Sequence, residues 1–245
     1  MTFRQTTLLS KDNHKTVKGE KMGYITYIMY LSPYTDNSRG INLCPFATKG
    51  CSGACLFKSG FGGVYKAVQE GRRNKTEWYL ADRKGFLAQL DKEIGKLVKK
   101  HEGTDKIVTF RLNGTSDIMW ENIKVRDGKN FFELYPDVQF YDYTKIPNRF
   151  KKPLPSNYHL TFSRSETNHD IAMKLLGKGV NVAMVFDEVP AEYEGYPVVV
   201  GDETDLRFLD GKGVIVGLKY KNQAGTGANN KIAFTTGFAI SLKTK

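Results

Sequence analysis

Val180-Asn-Val-Ala-Met-Val-Phe186, followed by Asp187, is apolar at every position but Asn181 and shows no alternation. A short apolar run of this kind, ended by a charged residue, is a strand buried on both faces, as in a parallel sheet. Upstream of it, Glu166 to Lys178 predicts a helix that turns Ile171, Ala172, Leu175 and Leu176 inward and stops at Gly177 and Gly179. Helix followed by buried strand is the unit of a βα fold.

The same kind of run recurs along the chain. Tyr24 to Leu31, Ile107 to Leu112, Val138 to Tyr141, Tyr158 to Phe162, Val198 to Val200 and Gly213 to Leu218 bring the predicted strands to seven. None has a clean period of two. Thr76 to Lys100 predicts one long helix with Phe86, Leu87, Leu90, Ile94, Leu97 and Val98 on a stripe, stopped near Gly103. Ile146 to Ser156 carries prolines and predicts an abbreviated crossover. At 245 residues, with 40% hydrophobic and 26% charged side chains, the chain reads as one α/β domain over residues 1–245. Its expected architecture is an open or partial βα barrel of parallel strands.

Polar residues gather where the predicted strands end. Arg111, Asn113, Gly114, Thr115, Ser116 and Asp117 follow or close the second strand, Asp142 and Lys145 the third, and Ser163, Arg164, Ser165 and Glu166 the fourth; Asp202 and Lys219 continue the series. In parallel βα folds the site is built at the carboxyl ends of the strands, which makes this ring a candidate ligand rim. Plainer readings exist for single members. Ser163 and Glu166 have capping-box spacing, and Asn113-Gly114 is a common turn dipeptide.

All three cysteines, Cys44, Cys51 and Cys55, lie within twelve residues directly after the first strand. Three thiols cannot all pair as disulfides. Structural zinc takes four ligands, and the nearest histidines, His14 and His101, are remote in sequence, so zinc would need His169 or an aspartate brought in by folding. Three clustered thiolates suit an iron-sulfur cluster with one iron left open. A disulfide plus a free thiol, or three small buried side chains, is the bland alternative.

The net charge of +11 attracts polyanions and keeps nucleic acid in view as a partner, although the lysines are spread along the chain and no nucleic-acid motif accompanies them. The apolar run from Tyr24 to Tyr34 is too short and interrupted to span a bilayer, and the first residues lack a signal peptide's apolar core, so a cytoplasmic location and no membrane association are expected. A reducing compartment suits metal ligation. Gly225-Thr-Gly227 lacks the Gly-Lys-Ser/Thr ending of a phosphate loop, and Trp78 and Trp120 read as packing residues.

A cysteine loop after the first strand, a glycine-containing turn after the second, and serine with glutamate after the fourth resemble the radical S-adenosylmethionine (SAM) enzymes. In that family three cysteines hold a 4Fe-4S cluster and SAM chelates the open iron. The resemblance implies cofactor contacts at Asn113, Gly114, Thr115, Ser116 and Asp117, which stand in place of the family's Gly-Gly-Glu-like motif, and at Ser163, Ser165 and Glu166. It departs from the family in spacing: six residues separate Cys44 from Cys51 and three separate Cys51 from Cys55, against the family's three and two.

At the level of whole motifs the chain is similar to the phage-encoded "gene product eighty-eight" family. The stretches that carry this are Lys15 to Glu20, Cys44-Pro-Phe-Ala-Thr-Lys-Gly-Cys51, Arg111 to Glu121, Phe140 to Lys145, Phe162 to Glu166 and Gly201 to Asp210. The two resemblances together imply a 4Fe-4S protein in the cytoplasm of an infected host. A small molecule would sit at the open iron and an electron donor would serve the cluster, while Arg111, Asp142, Lys145, Arg164, Asp202 and Lys219 are the substrate-binding candidates. The alternative of another class is a cluster-bearing nucleic-acid-binding or electron-transfer protein without SAM chemistry.

Overall fold

The computed structural model describes residues 7–11, 14–55, 57, 65–221 and 227–243. Its strands are β1 (Leu9–Ser10), β2 (Tyr24–Met29), β3 (Ile107–Arg111), β4 (Gln139–Thr144), β5 (Tyr158–Ser163), β6 (Val182–Phe186), β7 (Glu192–Tyr193), β8 (Tyr196–Val200), β9 (Ile215–Lys219) and β10 (Ala239–Ile240). The helices are α1 (His14–Glu20), α2 (Lys49–Gly53), α3 (Lys66–Ala81), α4 (Arg83–His101), α5 (Phe131–Leu134), α6 (His169–Leu176) and α7 (Gly227–Thr235).

The ten strands form one sheet in the order β1-β2-β3-β4-β5-β6-β9-β8-β7, with β10 beside β6. All seven expected strands are present, and every pairing among them is parallel. Two features differ from a sequential barrel. β9 lies between β6 and β8, and the path ends in antiparallel partners, β1 on β2 and β7 on β8, so among the described residues the sheet stays open. The β7–β8 hairpin turns through Glu194 and Gly195, both at positive φ (49° and 80°), the pattern of a tight two-residue turn. β5 pairs with β6 only at Val182 and Ala183; β10 takes the remaining edge at Val185 and Phe186.

One face of the sheet is apolar and covered by helices. Tyr27, Phe110, Phe140 and Leu160 pack with Tyr79, Phe86, Leu90 and Phe132, and a second cluster joins Phe162, Val182, Met184 and Ile215 to Ala172 and Leu176 of α6. Trp120 is fully buried in the first cluster and Trp78 packs against it, as packing residues should. Register pairs Thr26 with Thr109, Tyr141 with His159 and Tyr143 with Thr161, and puts all of these on the opposite face together with Arg111 and Ser163. Thr26 Oγ1 lies 2.8 Å from Thr109 Oγ1 and 2.9 Å from the Tyr141 hydroxyl. Residues 202–210 cover this polar face, with the Phe208 ring 5.4 Å from Tyr24 and 5.2 Å from Tyr141. β3 and β5 therefore do alternate, apolar toward the helices and mostly polar on the opposite face, where the run-based reading saw no period; on β4, Asp142 and Thr144 share the face of Phe140.

The helices also refine the expectations. The stretch Thr76 to Lys100 spans two helices joined at Asp82 (φ −138°, ψ 73°), whose carboxylate accepts from Gly85 N at 2.9 Å and starts α4. α6 begins at His169, later than Glu166, and leaves Ile171 42% exposed. The capping box across Ser163 and Glu166 does not form, because Asn168 Oδ1 accepts from Ser165 N and the Glu166 carboxylate is engaged elsewhere. The proline-bearing crossover holds a single 3-10 turn, Pro147–Phe150. Gly225 and Thr226 lie outside the described residues; Gly227 opens α7.

Candidate functional site

The segment after β2 brings the cysteines over the carboxyl ends of the neighbouring strands. Thr48 starts α2 by accepting from Cys51 N at 3.2 Å, and the Glu166 carboxylate, from the end of β5, accepts from Thr48 Oγ1 and Gly50 N, each at 2.7 Å. A negative group at a helix start completes donors that the helix leaves open. Gly50 permits this approach. A Cβ there would stand 2.4 Å from Thr236 Oγ1, 2.6 Å from Phe238 Cβ and 2.9 Å from Glu166 Oε1. Cys44 is fixed through its own N–H to Asn42 Oδ1 (2.8 Å), and its thiol reaches the Thr115 carbonyl at 3.6 Å. Leu43 O accepts from Asp117 N at 2.9 Å, which ties the loop to the turn after β3.

None of the three cysteines is in a disulfide, and all are half-buried. Burial pushes the Cys44 thiol up to about 12, with Cys55, Cys51 and Asp117 adding to the shift and a hydrogen bond from the Tyr34 backbone opposing it. The three sulfurs thus share one electrostatic neighbourhood. In the arrangement described they stand apart, and among the described residues no three or more Cys, His, Asp or Glu side chains are gathered closely enough to hold a metal ion.

Two cations flank the thiols. The Lys145 ammonium donates to Ser163 Oγ at 2.9 Å and is hydrogen-bonded to Cys51; burial opposes its charge, but Cys51, Asp117 and Cys44 together keep it above the usual lysine range. On the other side Arg72 lies over the Tyr30 ring (4.7 Å) and the Phe57 ring (5.5 Å), and burial lowers its pKa while Tyr30 and Cys55 oppose that. Among the described residues neither cation forms an ion pair with a carboxylate. Reading the sequence found Lys145 and missed Arg72, because nothing in Gly71-Arg72-Arg73 sets one arginine of a polar helix apart from the next.

The remaining rim residues serve other contacts. Asn113, Asp117 and Asp142 serve a buried network. Asn113 Oδ1 accepts from Ser116 Oγ, Ile118 N and Trp120 Nε1; Asp117 accepts from Thr144 Oγ1, Lys145 N and Arg149; Asp142 accepts from Asn113 N and the Tyr158 hydroxyl. Asp142 lies on the helix-covered face, where burial pushes its carboxyl up to about 6 against the pull of Arg111. Gly114 sits tight against β2, since a Cβ would meet Tyr30 and Met29 O at 2.6 and 2.7 Å, and Thr115 Oγ1 donates to Leu31 O.

Arg164 donates to the carbonyls of Gly237 and Phe238, and Ser165 is buried with its hydroxyl unpartnered. Asp202 accepts from Lys219 N at 2.8 Å and pairs with Lys221 at 3.1 Å, away from the thiols. Arg111 pairs with Asp205 beneath residues 202–210. The alternative zinc ligand His169 is 3.1 Å from the Glu194 carboxylate. The structure therefore links Cys51, Lys145, Ser163 and Glu166 through hydrogen bonds, keeps Cys44 and Cys55 in the same electrostatic neighbourhood, and leaves Asp142, Arg164, Asp202 and Lys219 in other roles.

No helix of the described residues is long and apolar enough to cross a membrane. Comparison with curated proteins and with solved structures finds no match. A family model matches residues 7–235, nearly the whole chain, and with the cysteine segment, the Asn113–Asp117 turn and Glu166 all inside that span, the chain belongs to the Gene product 88 family of phage proteins.

Proposed function

We propose that the chain binds a 4Fe-4S cluster through Cys44, Cys51 and Cys55, with the fourth iron open to a small ligand, SAM being the one that the strand-end layout resembles. The observation that carries this reading is a pair of cations beside three thiols. Lys145 and Arg72 flank the thiols, and among the described residues neither forms a salt bridge, Asp117 alone of the carboxylates acting on Lys145. Cations taken out of water need compensation, and three thiolates on a cluster would supply it. When bound, such a cluster supplies one-electron reduction at its open iron. In this reading Glu166 holds α2 so that Cys51 faces Lys145, and Ser163 fixes the ammonium.

Iron and acid-labile sulfide measured on anaerobically purified protein test the reading. About four of each per chain are expected, with both lost in Cys51→Ala; zinc in place of iron, or unchanged contents in the variant, overturns it. An EPR spectrum of the reduced protein that shifts on adding SAM assigns the open iron to SAM. A second reading, nucleic-acid binding, draws on the exposed row Lys92, Lys96, Lys99 and Lys100 along α4 and the +11 charge. It predicts a salt-dependent gel shift that weakens when these lysines are replaced.

A further inference from the structure

The polar face of the sheet beneath residues 202–210 holds more hydrogen-bonding capacity than the protein uses. Arg111, Arg207 and Thr161 are at least nine-tenths buried there, being 9%, 2% and 0% exposed. Arg111 Nε, Arg207 Nε, Thr161 Oγ1 and His159 Nε2 are all buried without a hydrogen-bond partner. Buried polar groups are rarely left so, and several in one place point to a bound molecule.

The four groups belong to one region. Thr161 is the register partner of Tyr143 and His159 that of Tyr141, both on β4. The Arg111 guanidinium lies over both rings, 5.1 Å from Tyr143 and 5.7 Å from Tyr141. Arg207 acts electrostatically on both His159 and Tyr143, which places it above the same strands.

The unused donors of the region select the ligand. Arg111 is matched by Asp205, and Arg207 stands 3.1 Å from Asp210 Oδ2. That second contact is an ion pair by distance without an aligned hydrogen bond, since both atoms also lack a hydrogen-bond partner. Lys145, which lies two positions beyond Tyr143 on β4's side of the face, carries a further positive charge, held by Ser163, Cys51 and the nearby Asp117. Arg111 Nε, Arg207 Nε and Arg207 Nη1 are unused N–H donors, the partners that an oxyanion accepts from.

We propose that the inner face of β3–β5, closed by residues 202–210, binds a small oxyanion-bearing molecule, with its carboxylate or phosphate group held by Arg111, Arg207, His159 and Thr161. Thr161 and Ser163 are two residues apart on the same face of β5, about 7 Å, so a ligand anchored at Thr161 reaches the Ser163–Lys145 pair beside Cys51 if it is a few bonds long. The site stands on its own residues and does not require the cluster.

Equilibrium dialysis of the full chain against inorganic phosphate and against malonate tests it, at constant ionic strength. Saturable binding of one ligand per chain is expected, weakened tenfold or more in Thr161→Val and lost in Arg207→Met, while the surface variant Lys99→Met binds as the parent does. Should Arg207→Met fail to fold by circular dichroism, Thr161→Val and His159→Gln decide, since neither removes a buried charge pair. Absence of saturable binding in the parent, which would mean that water alone fills the region, overturns the proposal. So does binding that follows Lys99→Met instead of the interior variants. The Cys51→Ser protein separates the two readings: it is expected to lose iron and keep oxyanion binding, so that either can fail without the other.

Discussion

Glu166 links the residue chemistry of two distant segments, because its carboxylate from the end of β5 completes the start of the helix that carries Cys51. Hydrogen bonds to a charged group contribute about 1.5–3 kcal/mol each. Glu166→Ala is expected to lower stability by roughly 3–6 kcal/mol, and to speed alkylation of Cys51 at neutral pH by freeing α2. Unchanged denaturant midpoint and alkylation rate would show that the contact holds nothing. Gly50→Ala is expected to act in the same direction through the clash with Phe238 and Thr236.

Two buried groups give opposite pH signatures. Burial raises the Asp142 carboxyl from 3.8 to about 6, so the unfolded chain loses this proton first as pH rises and stability falls between those values. Burial, with Arg207 nearby, holds His159 down to about 4 from 6.5, so the unfolded chain gains this proton first on acidification and stability falls as pH drops from 6.5 to 4. Each contributes at most about 3 kcal/mol across its window. Relative to the parent, Asp142→Asn should make stability fall more steeply on acidification from pH 6 to 4, and His159→Gln should make it fall less. Denaturant titrations at several pH values read both slopes, and equal slopes in all three proteins would remove the account.

At the scale of elements, the seven parallel strands were legible because buried apolar runs ended by polar residues have few other uses. Their inner face was less legible. Thr109 and Arg111 on β3 and His159 and Thr161 on β5 alternate with apolar neighbours, but aromatic and β-branched residues blur the contrast that marks a half-polar strand. The exchange of β8 and β9 in the sheet, and the use of β1 and β7 as antiparallel edges, depend on pairings between distant segments that no local signal encodes. The break between α3 and α4 had a signal: Asp82 stands three residues before Gly85, as an N-cap does, inside an otherwise continuous helical stripe. Asp82→Ala is expected to cost about 1 kcal/mol, measured by thermal or denaturant unfolding. A gain in stability would mean that the two helices prefer to run on as one.

At the scale of the molecule, an apolar, helix-covered face stabilises the sheet while the opposite face and the strand ends carry the polar chemistry. The cysteine cluster was plain in the sequence, because three thiols in one short loop are hard to explain as packing. The role of the rim was not. Asn113, Asp117 and Asp142 resemble ligand-binding residues by position, yet they satisfy one another, Arg149 and Tyr158, and only folding shows which polar groups are left over. Beside the thiols, the cations without a salt bridge among the described residues are Lys145 and Arg72. Lys145→Met and Arg72→Met are each expected to reduce iron retained after gel filtration by several-fold, without abolishing the fold.

Mössbauer spectroscopy of protein loaded anaerobically with iron-57 and sulfide addresses the central claim most directly, because it counts iron environments. The account predicts a 4Fe-4S spectrum in which one iron differs from the other three, and its disappearance in Cys51→Ala. Iron that is absent, present without sulfide, or unaffected by loss of Cys51 would contradict it.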